Sequence, residues 1–188
     1  SLMSVSQIES EAEGKMKKSL DAFRKELSLM RTGRATPALL ERVMVDYYGS
    51  PMPINQVATV SVPESQLLVI QPWDRSLIKT IEKAILKSDL GLNPSSDGTV
   101  IRLPIPSLTE ERRRDLSKVA RKKAEEAKIA IRNIRREAND ELKRLEREKS
   151  ISEDENKRRQ EEVQKLTDKF VGEIDNVAQA KEKEIMSI

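Results

Sequence analysis

Arg132, Arg135 and Arg136 are the residues of this chain whose type and spacing most suggest chemistry. Steps of three and four place them on one face of a helix. Lys128 and Lys143 extend that face by one and two turns, and Arg113, Lys118, Arg121 and Lys122 add positive charge toward its N-terminal end. From residue 109 to 149 there are 15 Lys and Arg against 10 Asp and Glu, whereas residues 152–188 hold 7 against 10. The formal net charge of +3 therefore conceals one basic segment. Such a stripe suits the repeating phosphates of structured RNA, because Arg offers a bidentate fork and binding releases counterions. A solvated face in a Lys- and Glu-rich protein also carries charge runs that bind nothing. The use of three Arg, rather than Lys, favours binding.

Arg31-Thr32-Gly33-Arg34 is a second candidate. Two guanidinium groups around a glycine at a helix end can sit on phosphates while Gly33 permits a turn. Equally, the arginines can simply offset the dipole of a helix terminus. Glu125, Glu126, Asp140 and Glu141 lie among cations on an exposed rod and read as solvated ion-pair partners.

Other chemistry is restricted by what the chain lacks. It contains no Cys and no His, which removes disulfides, thiolates, the commonest general base and the usual transition-metal ligands. No cofactor and no metal are expected, and no catalytic residue is singled out. A Gly-x4-Gly-Lys-Ser/Thr loop is absent, so the chain should not bind GTP itself. Of the five aromatics, Tyr47, Tyr48, Trp73 and Phe23 fall in strand, loop or core-like contexts, which predicts no base-stacking platform. No apolar run approaches the roughly 20 residues of a membrane span and no leader pattern is visible, so a cytoplasmic location is expected. Ser1 and Leu2, ahead of Met3, read as a cloning remnant.

These residues must be positioned by an α+β architecture. From residue 4 to 30, Ile8, Ala12, Met16, Leu20, Phe23, Leu27 and Met30 recur three or four apart and predict an amphipathic helix. Between Thr36 and Leu103 the chain turns rich in β-branched residues, Pro, Gly and Ser. Residues 43–48, 57–62, 67–70 and 99–103 read as strands, and 76–90 as a helix capped by Gly91. Beyond Pro104 and Pro106 a helix starts at Thr109 or Ser107 and runs to about Lys149, with Ala120, Ala124, Ala127, Ile131, Ile134, Ala138, Leu142 and Leu145 inward. Ser152 and Glu155 form a capping box for a last helix, whose stripe is Val163, Leu166, Phe170, Ile174, Val177 and Ile185, with Lys181 placed to snorkel.

Long helices with single apolar stripes are unstable alone, so the three should bury them together. The expected architecture is a three-helix bundle from 1–31 and 107–188, interrupted by a small β/α/β domain at 32–106. Two connections join the parts. With Gly33 in one and Pro104 and Pro106 in the other, this double linker reads as a hinge.

Over essentially its whole length the sequence resembles the bacterial ribosome recycling factor family. The resemblance rests on Arg31-Thr32-Gly33-Arg34-Ala35, Val45-Asp46-Tyr47-Tyr48-Gly49, Asp89-Leu90-Gly91-Leu92-Asn93-Pro94 and Leu108-Thr109-Glu110-Glu111-Arg112-Arg113. It rests equally on Arg132-Asn133-Ile134-Arg135-Arg136, Ile151-Ser152-Glu153-Asp154-Glu155 and Val163-Gln164-Lys165-Leu166-Thr167-Asp168. It implies a non-enzymatic, monomeric factor whose bundle lies on large-subunit ribosomal RNA near the peptidyl-transferase centre. Arg31, Gly33, Arg34, Arg113, Lys128, Arg132, Arg135 and Arg136 would then face the RNA. It further implies that the small domain meets elongation factor G, a GTPase that supplies the energy for splitting the ribosome. A coiled-coil protein scaffold and a carboxylate hydrolase are the rival readings. Salt-dependent binding to large subunits would separate the first, and a desolvating pocket the second.

Overall fold

The structure, a computed structural model, describes residues 3–187, so the reading of Ser1 and Leu2 lies outside the described residues. The elements follow in the order α1 Val5–Ser28, β1 Met44–Tyr47, β2 Ser50–Pro53, β3 Ala58–Glu64, β4 Leu67–Pro72, α2 Ile78–Lys87, β5 Ser95–Ser96, β6 Ile101–Pro104, α3 Glu110–Arg147 and α4 Glu153–Met186. The chain forms two compact units. One gathers α1, most of α3, and α4, and the other is Leu29–Arg113. The division falls at Ser28/Leu29 and Arg113/Arg114, so both connecting stretches and the first residues of α3 cluster with the small unit.

In the helical unit the predicted stripes find one another. Ile8, Ala12, Met16, Leu20, Phe23 and Leu27 of α1 are all buried. Ile8 and Ala12 share one cluster with Ala138, Leu142 and Leu145 of α3 and Val163 of α4. α3 is 38 residues without Gly or Pro, about 57 Å at ~1.5 Å per residue. Thr109 is its cap, accepting the Arg112 N–H at 3.1 Å on its hydroxyl, which decides between the two expected capping residues. The helix stops where Lys149 takes a φ of 61°. Ser150 N–H then donates to Leu145 O and Lys149 N–H to Glu146 O, both at 2.9 Å, the paired bonds of a Schellman ending. Ser152 restarts the chain, its hydroxyl accepting the Glu155 N–H at 3.0 Å. On α4 the buried stripe runs Val163, Thr167, Phe170, Ile174, Lys181 and Ile185. Thr167 enters in place of the expected Leu166 by bonding its hydroxyl to Val163 O at 2.8 Å. Lys181 does snorkel, its ammonium reaching Glu184 at 3.3 Å.

The small unit holds a two-stranded hairpin, β1-β2, and a four-stranded antiparallel sheet ordered β3-β4-β6-β5. Val45, Leu68, Ile70, Ile81, Ile85, Ile101 and Leu103 fill its core. β2, Ser50–Pro53, was not expected as a strand; Ser50 and Pro51 have turn chemistry, but an edge strand tolerates its two prolines. α2 ends at Lys87 with Ser88 as its cap, three residues before Gly91, so Gly91 is not the helix cap although its φ is 66°. Tyr48 and Gly49, between paired Tyr47 and Ser50, have φ of 50° and 86°, the signature of a two-residue type I′ turn.

Leu142 is fully buried in the cluster that joins all three long helices. Leu142→Ala should lower the unfolding free energy by about 2–5 kcal/mol, read by urea titration of the helical circular dichroism. A loss well under about 1 kcal/mol would place this residue outside the core.

Candidate nucleic-acid interface

The inward stripe of α3 fixes what points outward. Ile131 is fully buried, and one residue on, about 100° around the axis, Arg132 is exposed. Arg136 is exposed one turn further along, and Lys118, Lys122 and Lys143 are exposed on the same helix. Among the described residues no ion pair engages Arg132, Arg136, Lys118, Lys122 or Lys143. Their charge therefore faces solvent without compensation.

The other predicted cations are placed differently. Arg135 is half-buried; one terminal nitrogen donates to Gln164 Oε1 of α4 at 3.0 Å, while its buried Nε has no hydrogen-bond partner. Gln164 in turn donates to Asp168 at 2.9 Å, so Arg135 is oriented by a chain running onto α4. Lys128 is held inside the bundle surface. Its ammonium bonds Asp175 at 2.8 Å and Glu125 at 2.9 Å, with only 15% of the side chain exposed. The hydrogen bond to Asp175, and then that to Glu125, raises its pKa above the ordinary lysine value, against the opposing effect of desolvation. This lysine is an internal tie, and its position on the predicted stripe overstated its availability. Arg121 is likewise turned to Glu182 at 2.6 Å, and Lys123, which the stripe did not include, to Glu26. Two of the carboxylates read as ion-pair partners are such partners, Glu125 to Lys128 and Glu141 to Arg144 at 3.6 Å.

The second candidate lies in the small unit. Arg31, Gly33, Arg34, Pro106 and Arg112 line one shallow cleft of about 170 Å³. Arg112 had not been singled out. Arg31 is exposed and Arg34 and Arg113 are half-buried, while Gly33 is buried with a φ of 80° that a β-branched residue would resist. The two connections are tied to one turn. Ala35 N–H donates to Ser65 O at 2.7 Å, Ile105 N–H to Gln66 O at 2.8 Å, and the Gln66 amide reaches the Ser107 hydroxyl at 2.5 Å. Pro104 is the last residue of β6, opposite Leu67, so of the three expected hinge positions it is held within the sheet.

The aromatics lie in core, strand and loop positions: Phe23 is core, whereas Tyr48 is 80% and Trp73 67% exposed, with Tyr47 less so. The β1-β2 turn and the residue after β4 carry the two most exposed rings outward. Among the described residues no group of acidic side chains could hold a metal ion, and no helix is long and apolar enough to cross a membrane.

A helical bundle with an exposed arginine face, interrupted by a small antiparallel unit, defines a two-unit α+β protein. Residues 23–186 match the ribosome recycling factor family. A ribosome-recycling factor of Carboxydothermus hydrogenoformans is 64% identical over 178 residues, 95% of this chain and 96% of that protein. That of Syntrophomonas wolfei is 59% identical over 98% of this chain and 100% of its own. A solution structure of ribosome recycling factor superposes with a TM-score of 0.82 at 48% identity, covering 100% of both chains. A second solved structure matches with a TM-score of 0.71 at 50% identity, over 98% of this chain and 100% of the other. It models the T. thermophilus factor and E. coli elongation factor G bound to the E. coli post-termination complex. The chain belongs to the ribosome recycling factor family.

Replacing Lys128 separates internal ties from free charge. Because its folded pKa is raised, the lysine's contribution is fully present from neutral pH up to the ordinary lysine value near 10.5 and is lost as the pH rises through the folded value. Lys128→Ala should therefore lower stability by about 1–2 kcal/mol at neutral pH, with the deficit shrinking as the pH is raised into strong alkali, as followed by thermal melts from neutral pH upward. Equal stability at neutral pH would show the tie to be idle.

Proposed function

We propose that this protein is a non-enzymatic ribosome recycling factor of the cytoplasm, acting as a monomer without cofactor. In this reading the helical unit grips large-subunit ribosomal RNA, and the small unit receives elongation factor G, whose GTP hydrolysis drives separation of the subunits. The observation that carries the reading is the selective neutralisation on α3: Lys128 and Arg121 are tied to carboxylates, whereas Arg132 and Arg136 are exposed with no ion-pair partner among the described residues. Guanidinium groups left free in this way match phosphate geometry and gain from counterion release. Arg135, oriented by Gln164, flanks them, and Arg31, Arg34 and Arg113 form the second contact with RNA. Lys128 contributes to this surface by positioning α4 against α3.

The chain crosses between the units twice, and Gly33, with Pro104 and Pro106 bounding the other crossing, forms the hinge through which the push on the small unit is delivered. Fixed φ at the prolines restricts one crossing to few backbone states, while Gly33 gives the other access to left-handed conformations closed to other residues. Chemistry stays with the partner, since this chain supplies attachment and leverage only.

Two measurements test this. Replacing Arg132 and Arg136 together by Ala should weaken binding to isolated large subunits and flatten the log affinity against log salt slope by roughly 1 to 2 units. An unchanged slope would remove the arginine face from the interface. Gly33→Val, which forces a β-branched side chain to a φ of 80°, should reduce factor- and GTP-dependent subunit splitting more than it reduces subunit binding. Parallel loss of both would make Gly33 a binding residue and not a hinge.

A further inference from the structure

Three of the five aromatic residues lie at the surface of the small unit, and they are gathered and fixed there. The rings of Tyr47 and Tyr48 meet edge to face, 4.7 Å between centroids and 79° between planes. The Tyr48 hydroxyl donates to Asp74 Oδ2 at 3.3 Å, which joins the hairpin tip to the residue that follows Trp73. Trp73 is anchored at both its polar groups: the indole N–H donates to Thr59 Oγ1 at 3.0 Å and the backbone N–H to Val57 O at 3.1 Å. Despite this anchoring most of the indole is open to solvent.

Folding alone does not account for the patch. Tyr48 occupies the first central position of a type I′ turn with a φ of 50°, where Asn or Gly is accommodated without strain and tyrosine is not. A hairpin selected only for stability would not keep a large aromatic there, and strain held at an exposed position points to use of the side chain. Tyr and Trp with few free torsions, already pinned by hydrogen bonds, lose little entropy on binding and are enriched at the centres of protein interfaces.

Charge selects the class of partner. Asp46 and Asp74 are built into the patch as hydrogen-bond acceptors, Asp46 accepting the Gly49 N–H at 2.9 Å and Asp74 accepting the Ser76 N–H and hydroxyl at 3.0 and 2.7 Å. Arg75 is the cation next in the chain. Carboxylates beside aromatic faces repel phosphate and complement Lys or Arg, whose cations also stack on the rings.

We infer that Tyr47, Tyr48 and Trp73, flanked by Asp46 and Asp74, are the docking patch of the small unit for a protein surface that presents Lys or Arg, and not a platform for RNA bases. This rests on the reading above, in which a translational GTPase meets the small unit, and it names the surface that is met.

The test uses the full-length chain carrying Tyr48→Asn and Trp73→Ser, with Tyr48→Phe as the conservative variant. Tyr48→Asn should melt no lower than the parent, because it relieves the turn. The double variant should bind isolated large subunits with unchanged affinity and salt slope, yet lose at least about tenfold in splitting driven by elongation factor G and GTP. Tyr48→Phe, which keeps the ring and loses only the bond to Asp74, should retain most of the splitting. Splitting by the double variant at the parental rate overturns the inference, as does a weaker affinity for subunits without the factor, which would assign the patch to RNA. If the parent itself fails to split ribosomes, the underlying reading falls and takes this one with it.

Discussion

The structure depends on the burial of one apolar stripe along α3. That helix has no glycine or proline to bend it, so once Ala120, Ala124, Ile131, Ala138, Leu142 and Leu145 are committed to the inside, every other side chain has its direction assigned. The arginines need no local device to hold them out. The rigid backbone and the fixed 3.6-residue turn carry information from the core to the surface, and a one-residue shift of register would turn the whole helix by about 100° and bring charged residues against the core. Stability and the placement of surface charge are therefore two faces of the same packing decision.

A second level of selection operates within the outward face. Cations near α4 or α1 find carboxylates there: Lys128 meets Asp175, Arg121 meets Glu182 and Lys123 meets Glu26. Arg132 and Arg136 meet none among the described residues. The acidic excess of the last helix thus neutralises one flank of α3 and leaves the other positive, so the modest net charge of the chain is a poor guide to its field.

Much of this was legible in the sequence because helices report themselves through period. The α1 stripe was readable residue by residue, and the capping pair of Ser152 and Glu155 marked the start of α4. What periodicity cannot reveal is which neighbours a side chain meets across helices, so Lys128 looked as available as Arg132 although it is tied down. The small unit was harder to read. Its strands are short, β2 is half proline, and β5 has two residues, too few to establish an alternation. The exposure of Tyr48 depends on a turn whose left-handed residue is a tyrosine, where the usual signal would be Asn-Gly. Gly91 shows the converse, since it has the expected backbone sign but lies beyond a helix that Ser88 had already closed.

The attachment of Ala35 and Ile105 to consecutive residues of the turn between β3 and β4 has a topological consequence. A long insertion ordinarily imposes on its host the entropy of closing a large loop, which grows with the logarithm of its length. Here the incoming and outgoing segments are stitched to the same two-residue bend, so that closure is met within the inserted segment. To the helices it interrupts, the guest is a short, prefabricated bridge, and changes in its size elsewhere should leave the host's folding largely undisturbed.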